Sequence, residues 1–148
     1  MLLEAELQKT FFVIQRACKG RLTHNAIALG ISPMNFDQIR EFCLSLPHVT
    51  EDIQWEHDLL FRIGNKMFTV LVLDADKPYR MSFKCTPEEF AELTEREGID
   101  PAPYAARNHW VALARFDVLP KAELKRLIKD SYEMVKAKLP KKILTDLK

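Results

Sequence analysis

The side chains best suited to ligand contact or chemistry are concentrated in residues 101–116, PAPYAARNHWVALARF. Six of them can make polar or stacking contacts: Tyr104, Arg107, Asn108, His109, Trp110 and Arg115. Such a group is typical of a nucleic-acid surface, an acid–base pocket or a well-packed corner. Pro101 and Pro103 restrict the backbone ahead of this group, so the segment is predicted to begin as a rigid corner.

The alternation in WVALARF divides these residues by role. Trp110 shares one face of the predicted strand with Ala112 and Ala114, so its indole is expected in the core or partly covered. Arg107, His109 and Arg115 are the stronger candidates for contact with a partner. An alternative use of the corner is a ligand or protein pocket. It would be bordered by Tyr104, His109 and Trp110.

Cations beside predicted strands suggest a phosphate-binding surface. In YRMSFK, alternation places Arg80 and Lys84 on one face with Ser82. A β-ribbon can present such residues to a nucleic-acid groove. The predicted contact set is Lys66, Arg80, Lys84, Arg107 and Arg115. The last predicted helix also has a basic face, which we interpret as an ordinary solvated surface.

Catalytic and metal-binding signatures are weak. The chain has no GxSxG, GxGxxG or GxxxxGK[ST] motif, and none of its cysteines adjoins a histidine. Residues 51–58, EDIQWEHD, cluster acids around His57, and on a strand Glu56 and Asp58 would share a face. A solvated acidic edge is the favoured interpretation. We therefore expect no enzymatic activity, no cofactor and no metal, with weak metal binding or catalysis ranked third.

Composition narrows the classes of protein further. The 148 residues are 47% hydrophobic and 29% charged with a net charge of +1, which is typical of one soluble domain and not of a globally basic protein. Charge is uneven, however: residues 35–60 hold one basic and six acidic residues, whereas residues 107–142 hold ten basic and four acidic. Three scattered cysteines without a CxxC pair favour a reducing, cytoplasmic location. No membrane segment or secretion signal is predicted.

The element pattern predicts an α+β fold. Residues 1–33 are expected to be an N-terminal extension, helical or poorly ordered, or an artefact of an upstream start codon. A domain is predicted over residues 34–143, with 144–148 as a tail. It would contain a helix capped by Asn35, a strand at 53–57, a hairpin about Gly64-Asn65, and a strand in YRMSFK. A Thr86-Pro87 helix, the WVALARF strand and a helix from Pro120 would complete an antiparallel sheet flanked by helices.

These segments, in this order, resemble the MmcQ/YjbR family of small bacterial proteins. The resemblance rests on MNFDQIREFCLSLPHVTED, FRIGNKMFTVLV, MSFKCTPEEF, PAPYAARNHWVALARF and the final LPKAELKRLIKDSYEMVKAKLPKK. It covers about three quarters of the chain and begins near Met34. The resemblance implies a frataxin-like (CyaY-like) or double-wing arrangement and a DNA-binding role. The matching positions are Lys66, Lys84, Tyr104, His109 and Trp110.

Two functions are therefore expected. The first is a non-enzymatic, DNA-associated module that contacts phosphates with modest, salt-sensitive affinity. The second is an adaptor that binds a protein or small ligand in a pocket at the 101–110 corner. An enclosed pocket around Tyr104, Arg107 and His109 would favour the adaptor, whereas an open basic surface would favour DNA.

Overall fold

One antiparallel sheet of six strands organises residues 33–147, the part of the chain that this computed structural model describes. The strands lie in the order β1-β2-β3-β4-β6-β5, and every neighbouring pair is antiparallel. They are β1 (Val49–Gln54), β2 (Asp58–Ile63), β3 (Lys66–Val72), β4 (Met81–Lys84), β5 (Ile99–Pro101) and β6 (Trp110–Leu113). The helices are α1 (Phe36–Ser45), α2 (Pro87–Leu93), α3 (Lys121–Ala137) and α4 (Lys141–Asp146). The predicted α+β class, an antiparallel sheet flanked by helices, is confirmed.

Two helices begin at the capping signals that the sequence contains. The Asn35 side chain accepts the Gln38 N–H, and the Gln38 side chain accepts the Asn35 N–H, which closes a capping box at α1. Thr86 and Glu89 make the same reciprocal pair at α2. These caps satisfy N–H groups that a first helical turn cannot pair internally, so both predicted starts are confirmed.

The hairpin around Gly64 is also confirmed. Gly64 joins β2 to β3 with a φ of +63°, a left-handed conformation that glycine adopts without cost. A Cβ on Gly64 would lie 3.0 Å from the Ile143 side chain and 3.1 Å from that of Leu139. The absence of a side chain at Gly64 therefore also allows Leu139, after α3, and Ile143 of α4 to pack closely against the turn.

The strand predicted at residues 53–57 is wrong in position. The pairing of Gln54 with Asp58 ends β1 and leaves residues 55–57 as the loop of a hairpin. Trp55 and Glu56 have φ values of +52° and +67°, which a β-strand does not tolerate. As a result, Glu56 does not share a strand face with Asp58. The acids of this segment are divided between β1, the loop and β2.

Other differences concern short elements and boundaries. β5 has three residues, too few to show an alternating pattern, and the sequence did not indicate it. α4 continues through Asp146, and the side chains of Leu144 and Leu147 pack against the core beyond the boundary predicted at residue 143. The predicted extension, residues 1–33, lies outside the described residues except for Pro33. Within the described chain, no helix combines the length and hydropathy needed to cross a membrane.

The main core lies between the sheet and the helices. Its largest fully buried side chains include Phe61, Phe68, Phe83 and Tyr132, and the rings of Phe68 and Tyr132 meet edge-to-face at 5.5 Å. A smaller apolar cluster occupies the other face of the sheet. Its members are Leu60, Val70, Ala102, Trp110 and Ala112.

A β-bulge connects the sheet to α3. The register shifts from the Phe61–Thr69 pair to the Arg62–Met67 pair, so Phe68 is an extra residue in β3. The Ser131 hydroxyl of α3 donates to the Phe68 carbonyl at 2.7 Å and accepts the Lys84 N–H at 3.1 Å. Ser131 is 0% exposed, so its hydroxyl is shielded from solvent.

Replacing Ser131 by Ala should lower the free energy of unfolding by about 1–3 kcal/mol, because one buried and one partly buried backbone group lose their hydrogen-bond partner. Urea denaturation followed by circular dichroism measures this loss. The matched control is Ser45→Ala, since the Ser45 hydroxyl donates to the Phe42 carbonyl in an exposed position. The control should change stability by no more than about 0.5 kcal/mol. Equal losses in the two variants would contradict a structural role for the Ser131 bridge.

Candidate nucleic-acid interface

Antiparallel pairing brings three of the predicted cations to one end of the sheet. Lys66 begins β3 at the β2–β3 turn, and Lys84 ends the antiparallel β4 at that same end. Lys84 pairs with Trp110, so β6 also begins there. The corner that precedes β6 carries Arg107 in a short 3-10 turn, Ala106–Asn108. Residues distant in sequence thus lie at neighbouring strand ends.

The C-terminal end of α3 adds further cations at this position. The packing of Leu139 and Ile143 against the Gly64 turn places the α3–α4 junction beside the β2–β3 hairpin. Lys138 caps α3 there, and its ammonium acts electrostatically on Lys84. We call this group the basic end of the sheet: Lys66, Lys84, Arg107, Lys138, Lys141 and Lys142. The last three were not in the predicted contact set, although they lie in the basic segment 107–142.

Lys84 and Lys138 form a close pair of like charges. Partial burial, and then the neighbouring Lys138 ammonium, lowers the pKa of Lys84 from its usual value. Neither lysine belongs to a salt bridge within residues 33–147. Two cations held together without a carboxylate between them create a local positive potential that an anion would relieve.

Arg107 differs from the other arginines of the described chain. Its guanidinium is exposed and is the only one within residues 33–147 that makes no hydrogen bond or ion pair. The guanidinium of Arg80 donates to backbone carbonyls. The other five arginines are in ion pairs: Arg40, Arg62, Arg96, Arg115 and Arg126. A guanidinium has a fixed fork of donors suited to phosphate, and that of Arg107 is unoccupied.

The corner residues predicted to border a pocket lie in different environments. Tyr104 is fully exposed, whereas Trp110 is 6% exposed and packs in the smaller apolar cluster. His109 adopts a φ of +62°, and its half-buried ring packs edge-on against Phe90 of α2 at 5.6 Å. A fully exposed Tyr104 does not line an enclosed cavity. The structure therefore presents an open surface at this corner.

Arg80 and Arg115 are at the opposite end of the sheet. Arg80 precedes β4 and is 9% exposed, and its guanidinium donates to carbonyls of the β3–β4 loop, at Asp74, Ala75 and Lys77. Arg115 follows β6 and pairs with Asp117 at 3.0 Å. The structure thus brings together three of the five predicted phosphate-contacting residues and places the other two elsewhere.

The end of the sheet that holds Arg80 is rich in acids. Asp58 begins β2 there, and burial and the nearby Asp74 raise its pKa, although Lys77 and His57 act in the opposite direction. Within residues 33–147, no group of three or more Cys, His, Asp and Glu side chains is placed to hold a metal ion. At this end Asp58 lies near Lys77 and Asp117 pairs with Arg115, so acids and cations are mixed there.

The first turn of α2 carries acids beside the basic end. Glu88 and Glu89 occupy the first turn of α2, just after Lys84. Glu89 accepts from the Thr86 N–H and from Arg126, so its charge is already compensated. Glu88 is exposed. The six cations of the basic end therefore outnumber the two acids in the first turn of α2.

Replacing Lys138 by Gln should raise the pKa of Lys84 towards its ordinary value, because the repulsion from the Lys138 ammonium is removed while the partial burial remains. The same change should stabilise the fold at neutral pH, since the repulsion exists while both lysines are charged and fades as pH rises through the Lys84 pKa. NMR titration of the lysine side chains measures the shift. Lys121→Gln, at the other end of α3, should leave the Lys84 pKa unchanged; an equal effect would argue against the pairing.

Comparisons with known proteins agree with this fold. The YjbR family model matches residues 44–134. This chain is similar to Deinococcus radiodurans protein DR2400, which has the family domain DUF419 and whose crystal structure is known. The two share 29% sequence identity and superpose with a TM-score of 0.66. The match covers 75% of this chain and 86% of that chain. A Pseudomonas syringae protein structure shares the fold at 24% identity and a TM-score of 0.58, covering 68% of this chain and 98% of that one. A search of curated proteins finds no match. The predicted family is thereby confirmed, and the chain belongs to the YjbR family.

Proposed function

We propose that this protein binds nucleic acid, with DNA as the expected form, through phosphate contacts at the basic end of the sheet. It would act as a non-enzymatic module in the cytoplasm. The observation that carries the proposal is the unoccupied guanidinium of Arg107 at the same end as the Lys84–Lys138 pair. Among the described residues these side chains have no acidic partner, and phosphate oxygens are acceptors that suit both guanidinium and ammonium groups.

The contact set follows from which side chains are available. Lys66, Lys84 and Arg107 keep their predicted role, and the lysines at the α3–α4 junction join them. Arg80 and Arg115 are left out of the contact set because their guanidinium groups already serve the β3–β4 loop and Asp117. The remaining cations are mostly lysines, which act as point charges and do not discriminate between base edges. The proposed binding is therefore largely independent of base sequence.

The adaptor hypothesis is less well supported by the corner. A small-ligand site is normally concave and lined by apolar groups that converge on the ligand. Here Tyr104 and Arg107 are exposed, and Trp110 is buried in the smaller apolar cluster. An open, positively charged surface favours a polyanion over a small enclosed ligand.

The proposal predicts salt-sensitive binding of random-sequence DNA. Raising salt from about 50 mM to about 200 mM should weaken binding at least roughly tenfold, because each phosphate contact releases condensed counterions. Fluorescence anisotropy with labelled oligonucleotides measures the dissociation constant at each salt concentration. In the double variant Lys84→Gln/Arg107→Gln, the slope of log affinity against log salt should become shallower by about two units.

The control variant loses the same number of positive charges at the opposite end of the sheet. The double variant Lys77→Gln/Lys121→Gln removes two exposed lysines at the end of the sheet that holds Arg80. It should preserve the slope. If the two double variants weaken binding equally, binding is not localised at the basic end. If neither duplex nor single-stranded DNA binds at the lower salt concentration, the proposed function is rejected.

A further inference from the structure

Tyr104 is an exposed aromatic ring at a defined position. Within residues 33–147 three large hydrophobic side chains are exposed, and Tyr104 is the most exposed of them. Its φ of +65° is left-handed, a conformation that costs a non-glycine residue roughly 1 kcal/mol or more. Within residues 33–147, no hydrogen bond, ion pair or ring contact of the Tyr104 side chain offsets this cost.

Backbone hydrogen bonds make the support of this ring rigid. The N–H of Ala102 donates to the Trp110 carbonyl at 2.9 Å, and the N–H of Ala105 donates to the Ala102 carbonyl at 3.2 Å. Trp110 and Asn108 both donate to the Ala105 carbonyl, at 3.3 and 3.1 Å. Pro101 and Pro103 restrict the preceding backbone. The corner therefore presents Tyr104 in a pre-formed position, which reduces the entropy lost on binding.

The charges around the ring indicate what it contacts. Tyr104 lies in the same corner as the unoccupied Arg107, and this corner adjoins the strand end at Lys84. An aromatic ring among cations is the combination with which proteins bind single strands, whose bases stack while their phosphates pair with the cations. A duplex hides its base faces in the stack, so an exposed ring gains little from it. The surrounding positive charge likewise favours a polyanion over an apolar protein surface.

We propose that Tyr104 is a base-stacking residue and that the basic end is a site for single-stranded nucleic acid in preference to duplex. This inference rests on the proposed function and specifies its substrate class. One unpaired base would stack on the Tyr104 ring, while Arg107 and Lys84 contact the flanking phosphates. The ring face provides the stacking, so the hydroxyl is dispensable.

The test is a cycle of protein variants and oligonucleotides, performed on the full chain. The probes are single-stranded oligothymidylate of about twelve nucleotides, an abasic strand of equal length and charge, and a duplex of the same length. The wild-type protein should bind the thymidylate at least about fivefold more tightly than either of the others. Tyr104→Ala should lose at least about fivefold affinity for the thymidylate and none for the abasic strand. Tyr104→Phe should bind as the wild type does.

Each other outcome has a defined meaning. Equal losses on thymidylate and abasic strands would show that Tyr104 acts without stacking, and no loss would show that it makes no contact; either result overturns the inference. Duplex bound as tightly as the single strand would also overturn it. In all three cases the proposed function survives if Lys84→Gln/Arg107→Gln still weakens binding. Absence of binding to every probe rejects both. Matching thermal unfolding curves for wild type and Tyr104→Ala verify that the variant is folded.

Discussion

The buried hydroxyl of Ser131 connects the three parts of the structure on which the remaining geometry depends. It joins α3 to the bulge at Phe68 and to the backbone of Lys84 at the end of β4. A helix on a sheet can slide or rotate when only apolar contacts hold it, because such contacts are not directional. The two hydrogen bonds remove that freedom. They fix the position of α3 so that its C-terminal end, with Lys138, lies near Lys84.

The grouping of cations at one end of the sheet follows from the antiparallel pairing of the strands. Antiparallel strands alternate in direction, so successive loops lie at opposite ends of the sheet. Residues that are far apart in sequence can therefore lie side by side at one end. The cations of the β2–β3 turn, the β4 end and the 101–110 corner therefore lie at one end of the sheet. The partial negative charge at the C-terminal end of α3 favours lysines there and offsets part of their mutual repulsion. The opposite end collects Asp58 and Asp74.

Local signals predicted much of the fold from the sequence. Asn35 with Gln38, and Thr86 with Glu89, define helix starts because capping involves residues three positions apart. The sequence also predicts the turn at Gly64, because glycine is the residue that most readily adopts a positive φ. β1 was misplaced because its register is set by the partner strand β2 rather than by its own pattern. β5 was missed because three residues carry no measurable periodicity.

The sequence by itself determined the α+β class, the family resemblance and the list of cations that adjoin strands. It could not determine which of those cations are available, since availability depends on partners brought close by folding. Arg80 and Arg107 are equivalent as residue types, yet Arg80 is 9% exposed among loop carbonyls, whereas Arg107 is exposed and has no partner among the described residues. Only the tertiary structure decided this difference. Electrostatic and hydrogen-bond energies depend on distance and burial in space, neither of which is encoded in sequence separation.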